Sequence, residues 1–204
     1  MVSLPSKQPL TLLRLLLGFE TPASGAILYD EQDLGNVDVV SVRRQTGVVL
    51  QGGSLFQGDI LRNIVGSGVY TYDDALEAVR ACGMEQEIEE MPMGLHTVLS
   101  EGASTLSGGQ RQRLLIARAI VARPRILFLD EATSALDNRS QEIVTESLRR
   151  LNATRIVIAH RLSTIRDADR IIVMDAGRVV QSGTYEELMA EEGVFSVLAR
   201  RQII

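Results

Sequence analysis

Four short stretches of this 204-residue chain hold residue types that can do chemistry. The first is Leu106-Ser107-Gly108-Gly109-Gln110. Serine and glutamine three residues apart ahead of an apolar-periodic run form a capping box, in which each side chain bonds the other's backbone N–H. The same geometry suits a phosphate: Gly108 and Gly109 let it reach bare backbone N–H groups, the helix dipole favours its charge, and Ser107 adds a hydroxyl. A capped helix with no ligand explains the five residues equally well. The second stretch is Ile126-Leu127-Phe128-Leu129-Asp130-Glu131, an apolar strand ending in two acids. It reads as a strand running into an acidic helix start, or as a ligand site, because parallel α/β proteins bind ligands at the carboxyl ends of strands. In the second case Asp130 holds Mg²⁺, directly or through water, while Glu131 orients and deprotonates an attacking water. His160 follows a strand-like run, Arg155 to Ala159, and is the third candidate. Alone it is a structural histidine; beside the Asp130 strand its imidazole would bond a terminal phosphate or the attacking water. The fourth is Gln51, at a strand end before Gly52 and Gly53. It reads as a plain strand-to-loop turn, or as a neutral amide beside Mg²⁺ that senses nucleotide while a mobile segment after it contacts another protein. His96 has no such setting and reads as structural.

The elements that must carry these residues alternate between strand and helix. Leu12, Leu13, Leu16 and Leu17 share one helical face that Gly18 ends. Strands are expected at Ala26 to Tyr29, Gly47 to Leu50, Arg125 to Leu129, Arg155 to Ala159, Ile171 to Met174 and Val179 to Gln181, with an Ala176–Gly177 turn between the last two. Helices are expected over Tyr72 to Ala81, from Gln110 to about Ala122, where Pro124 stops the run, and from about Ser140 to Leu151. Thr184 and Glu187 form a further capping box. Apolar strands separated by helices imply a parallel sheet covered on both faces. The fold is therefore α/β, with a mainly helical insert over 54–122 between core segments 1–53 and 123–204. Composition agrees: 45% hydrophobic residues and a net charge of −5 exclude disorder, and the single Cys82 excludes a disulfide scaffold. The acidic balance speaks against a nucleic-acid partner. No apolar run approaches the length that crosses a bilayer.

Leu106 to Gln110, Asp130-Glu131, Ser134-Ala135-Leu136-Asp137 and His160, in that order and spacing, resemble the nucleotide-binding domain of an ABC transporter, over about Thr11 to Ala199. The resemblance implies a P-loop NTPase-like core and a helical subdomain that carries signals to membrane partners. It also implies ATP and Mg²⁺ as cofactors. Ser107, Gly108, Gly109 and Gln110 become the signature motif facing ATP held by a second subunit, Asp130 the magnesium-binding acid and Glu131 the catalytic glutamate. By the same likeness Asp137 communicates across the dimer, His160 is the switch histidine and Gln51 a metal-side and nucleotide-sensing ligand. The partners implied are a second nucleotide-binding domain and a transmembrane domain, which place the chain in the cytoplasm on the inner face of the membrane. Glu131-Ala132-Thr133-Ser134 and Ala159-His160-Arg161-Leu162 are similar to exporters, and Gly18 to Pro22 with Met91 to Gly94 resemble bacteriocin-type peptide export subunits.

One part of the family pattern is not matched. Alignment on Thr11-Leu12-Leu13-Arg14 puts the phosphate-cradling loop, G-x-x-x-x-G-K-[ST], at about Ser3 to Thr11, where this chain has no glycine. Pro9 falls at the lysine position and Leu10 at the magnesium-binding hydroxyl position, and Lys7 is out of register. Residues with a Cβ resist the positive φ that glycine supplies, and proline has neither amine nor N–H. Three readings follow: an exporter ATPase truncated or mis-started, with its phosphate loop encoded upstream or lost and its first strands missing; a non-hydrolysing subunit lending Ser107, Gly108 and Gly109 to a partner's ATP; or a DNA-repair or chromosome-organising ATPase. The short stretch between Gln51 and Ser107 leaves no room for the long coiled coil of the last.

Overall fold

The computed structural model describes residues 2–3, 8–100, 103, 105–159 and 162–203. The architecture is α/β, and the chain divides into two compact units, 1–41 with 156–204 and 42–155.

The first unit is built on the strand Ile171–Asp175. It pairs antiparallel with Arg178–Gly183 across the expected Ala176–Gly177 turn, where both residues have positive φ (46° and 78°), as this mirror-image turn requires. Its other side pairs in parallel with Val2–Ser3, Val2 opposite Val173. Ile171, Val173, Leu188, Phe195 and Ala199 form the core, and Tyr185 meets Phe195 edge-on at 5.7 Å. The helix Gln8–Leu16 buries Leu13 and ends as the sequence suggests. Gly18 (φ 65°) donates to Leu15 O at 3.0 Å and Phe19 N to Arg14 O at 2.8 Å, the paired bonds of a Schellman cap.

The second unit holds the strands that matter for the site. Thr46–Val49 runs parallel to Ile126–Asp130, with Thr46 opposite Ile126 and Val49 opposite Leu129. The helix Gly108–Ile120 covers this pair, burying Leu114, Ile116 and Ala117. Helix and strand meet at Gly47, where a Cβ would stand 2.3 Å from Ala119 O and 2.7 Å from Leu127 Cδ1. Pro124 and a left-handed Arg123 (φ 46°) end the helix and turn the chain into the next strand.

The helical insert is closed by a ladder not foreseen from the sequence: Gly58–Asp59 pairs antiparallel with Val98–Leu99, drawing its two ends together. Between them stand the helices Ile60–Val65, Tyr72–Ala81 and Glu85–Glu89. The fully buried Asn63 is satisfied throughout, accepting from Phe56 N and Arg118 Nη2 and donating to Phe56 O and Asp59 O. Arg118 also donates to Ser54 O and lies 5.0 Å over the Phe56 ring. The segment after Gln51, expected to be mobile, is thus tied at Ser54 and Phe56 to the helix that begins at Gly108. Cys82 is buried in the insert, and burial pushes its thiol up to about 12.

Two outcomes follow from this packing. Gly47→Ala should lower the unfolding free energy by about 2 kcal/mol or more, read by urea denaturation, because neither the backbone carbonyl nor the packed leucine can yield cheaply. Cys82 should resist a thiol reagent such as dithionitrobenzoate in the native protein and react fully only once urea unfolds it, since a buried neutral thiol is no nucleophile.

Candidate functional site

The capping box at Ser107 forms as the sequence suggests. Ser107 takes an extended conformation, its Oγ accepts from Gln110 N at 3.1 Å, and Gln110 Oε1 accepts from Ser107 N at 2.9 Å. Capping does not account for the two glycines between them. Neither has positive φ. A Cβ on Gly108 would meet nothing within 4 Å, and one on Gly109 would make only an ordinary contact, 3.5 Å from Ala135 O. Alanine would therefore fit both positions and favour the helix, where glycine is worse by up to about 1 kcal/mol per residue. Their N–H groups occupy the first helical turn, which has no earlier carbonyl to bond. What glycine permits here is a close approach to bare backbone from outside the chain, which is how a phosphate binds.

A second group of candidate residues lies at the carboxyl ends of the two parallel strands. Gln51 Nε2 donates to Glu131 Oε2 at 2.8 Å, joining residues eighty positions apart. Continued by two residues, the register that pairs Val49 with Leu129 sets Gln51 opposite Glu131. Glu131 has φ 48°, a left-handed backbone that costs a residue with a Cβ about 1–3 kcal/mol and persists only where its surroundings enforce it. The Glu131 carbonyl accepts from Ser134 N at 3.1 Å and from Gln112 Nε2 at 3.0 Å, while Gln112 Oε1 accepts from Ala135 N at 2.8 Å. Gln112 escaped the sequence reading, since nothing in a helical glutamine's spacing announces a bond to a loop beyond the next strand.

Asp130 ends its strand half-buried beside Glu131. Its carboxylate and the Gln51 amide oxygen are the hard donors Mg²⁺ takes, and that ion needs only one or two protein ligands when phosphate and water oxygens complete its shell. Among the described residues no cluster of three or more His, Cys, Asp or Glu forms an all-protein metal cage. The donor set therefore fits a nucleotide-borne Mg²⁺. Asp137 is exposed and caps the helix Asn138–Arg150, accepting from Ser140 N at 3.0 Å and from Ser140 Oγ at 2.8 Å. The backbone bond from Ser140, then the hydroxyl bond, hold its carboxyl below the usual range. His160 lies outside the described residues, as does Lys7. Of the residues singled out in the sequence, the structure brings Gln51 to Glu131, with Asp130 adjacent. It joins this pair, through Gln112, to the helix that Ser107, Gly108, Gly109 and Gln110 begin.

A family model described as "ABC transporter" matches residues 11–134. The chain is 46% identical over 185 residues to the alpha-hemolysin translocation ATP-binding protein HlyB of Escherichia coli O157:H7, a match covering 89% of this chain and 26% of that protein. It is 44% identical over 196 residues to the ATP-dependent lipid A-core flippase of Bordetella avium (strain 197N), covering 94% of this chain and 33% of the flippase. Among solved structures it is similar to a bacterial Atm1-family ABC exporter with ATP bound, with a TM-score of 0.95 and 36% identity over 100% of this chain and 36% of that one. The chain thus spans about a third or less of the length of these relatives. With the family model covering more than half of its residues, the chain belongs to the ABC transporter family.

Proposed function

We propose that the chain is the ATP-binding domain of an ABC exporter, which pairs head to tail with a second such domain and couples ATP binding and hydrolysis to transport across a membrane. The observation that carries the reading is the Gln51–Glu131 hydrogen bond at the carboxyl ends of adjacent parallel strands, the place where α/β folds bind ligands. The relatives named above are a translocation ATP-binding protein, an ATP-dependent flippase and an ABC exporter with ATP bound, which supports the same assignment.

In this reading Glu131 orients and deprotonates the attacking water, and Asp130 with Gln51 holds the Mg²⁺ that screens the phosphates. Ser107, Gly108 and Gly109 present a hydroxyl and backbone N–H groups to the phosphates of ATP held by the partner domain. Asp137 lies at the dimer interface and His160 supports the terminal phosphate. The helical insert, tied to the Gln51 segment through Asn63 and Arg118, transmits nucleotide state to a transmembrane domain. Among the described residues no helix is long and apolar enough to cross a membrane. The working location is the cytoplasmic face of the membrane. The net charge of −5 leaves nucleic acid an unsuitable partner.

A specific observation favours a second reading of the same surface. Residues 3–11 hold no glycine and place Pro9 at the lysine position, so that stretch offers no phosphate cradle. The chain then serves as the non-hydrolysing member of a pair and lends its Ser107 face to the partner's ATP.

The discriminating experiment is ATP hydrolysis by a mixed dimer with a nucleotide-competent partner domain. Ser107→Arg should abolish turnover at the partner's site under either reading, and unchanged turnover would refute both. In the otherwise unaltered dimer, Glu131→Gln should remove the turnover contributed by this chain's own site if this chain hydrolyses ATP, and leave total turnover unaffected if the chain only lends its signature face. Gly108→Ala should keep or slightly raise the melting temperature while weakening ATP-dependent dimerisation, because the fold has no need of that glycine.

A further inference from the structure

Glutamine 112 joins two functional segments by its side-chain amide alone. It lies half-buried in the helix that Ser107 caps, one turn beyond Gly108 and Gly109. Its Nε2 donates to the Glu131 carbonyl at 3.0 Å and its Oε1 accepts from Ala135 N at 2.8 Å. A planar amide offers one donor end and one acceptor end in fixed relation, so the two bonds grip the loop at both limits of Glu131–Ala135. The loop needs such a grip. Glu131 is left-handed at φ 48° with a Cβ, a conformation that relaxes unless the surroundings define it.

We propose that Gln112 is a positioning residue that locks the phosphate-facing start of its helix and the Glu131–Ala135 loop into one unit. It touches neither nucleotide nor metal. It sets the direction of the Glu131 carboxylate through the backbone of that residue, and it sets the angle at which Ser107, Gly108 and Gly109 meet the partner's phosphates. A displacement on either side is transmitted to the other, so ATP at the signature face and the carboxylate at the strand end are coupled within one domain. The inference rests on the proposed role of this chain as an ABC ATP-binding domain.

Three variants separate the two bonds. Gln112→Met keeps length and removes both. Gln112→Glu keeps the acceptor for Ala135 N and removes the donor to Glu131. Gln112→Leu controls for loss of polarity without the unbranched shape. Amide hydrogen exchange of the full chain supplies a readout independent of activity. The Ala135 amide should lose protection about tenfold or more in the methionine and leucine variants and keep it in the glutamate variant, while core amides such as Phe128 stay protected in all. In the mixed dimer with a competent partner, Gln112→Met should lower turnover at saturating ATP about tenfold with KM within about twofold, because misplacing aligned groups costs rate more than binding. The glutamate variant should fall between. Unchanged Ala135 exchange in Gln112→Met would overturn the proposal, as would unchanged turnover despite lost protection, or a rise in KM matching the loss of rate. If the wild-type dimer's turnover ignores Ser107→Arg, the functional reading fails, whatever the exchange data show for Gln112.

Discussion

Everything in the site depends on the parallel register between Thr46–Val49 and Ile126–Asp130. Because side chains alternate along a strand, a slip of one residue would send each to the opposite face. With Val49 opposite Leu129, the next residues out place Gln51 beside Glu131, and their side chains meet at 2.8 Å. The pairing is held by packing behind it. Leu127 and Phe128 are fully buried, and the cover helix sits so close at Gly47 that only a missing Cβ allows the contact. One glycine thus serves the fold by closeness within the chain, while another, Gly108, faces open space and serves no internal contact. That contrast is the physical basis for assigning the second a ligand.

The cover helix does two tasks at once. Its interior residues seal the strand pair, and its polar positions reach outward to loops and neighbouring helices: Gln112 to Glu131 and Ala135, Arg113 to Gly83 O and Glu87, Arg118 to Ser54 and Asn63. A single rigid helix therefore touches the strand-end loop, the helical insert and the segment after Gln51. Rigid elements with several such anchors carry displacement between sites better than loops do. This gives a concrete route by which phosphates proposed to bind at the helix start would be felt at the insert, where a membrane partner is proposed to dock.

Much of this was legible in the sequence, and the reasons differ by element. The boxes at Ser107 and Thr184, the Gly18 stop and the Ala176–Gly177 turn are local devices whose residue types specify their geometry within a few positions. The strand ends at Gln51 and Asp130 were readable because an apolar run stops at a polar residue. What stayed hidden depends on residues distant in sequence. The ladder between Gly58–Asp59 and Val98–Leu99 is two residues long on each side and leaves no periodic trace. The left-handed backbone at Glu131 is enforced by its neighbours and is not a preference of glutamate. Val2–Ser3 pairs with Ile171–Asp175 although nothing in two residues signals a strand. Asp137 was chosen as an interface residue, and the structure adds a local task, capping its own helix through Ser140.

The start of the Gly108–Ile120 helix is proposed to face the phosphates of ATP held by a second domain. Backbone amide chemical shifts test it most directly. Addition of ATP·Mg²⁺ together with a nucleotide-competent partner domain should move the Gly108 and Gly109 amide signals strongly, leave Gly47 unmoved, and have little effect when either component is omitted. Unmoved Gly108 and Gly109 signals in the full mixture would contradict the account, as would shifts of equal size at Gly47.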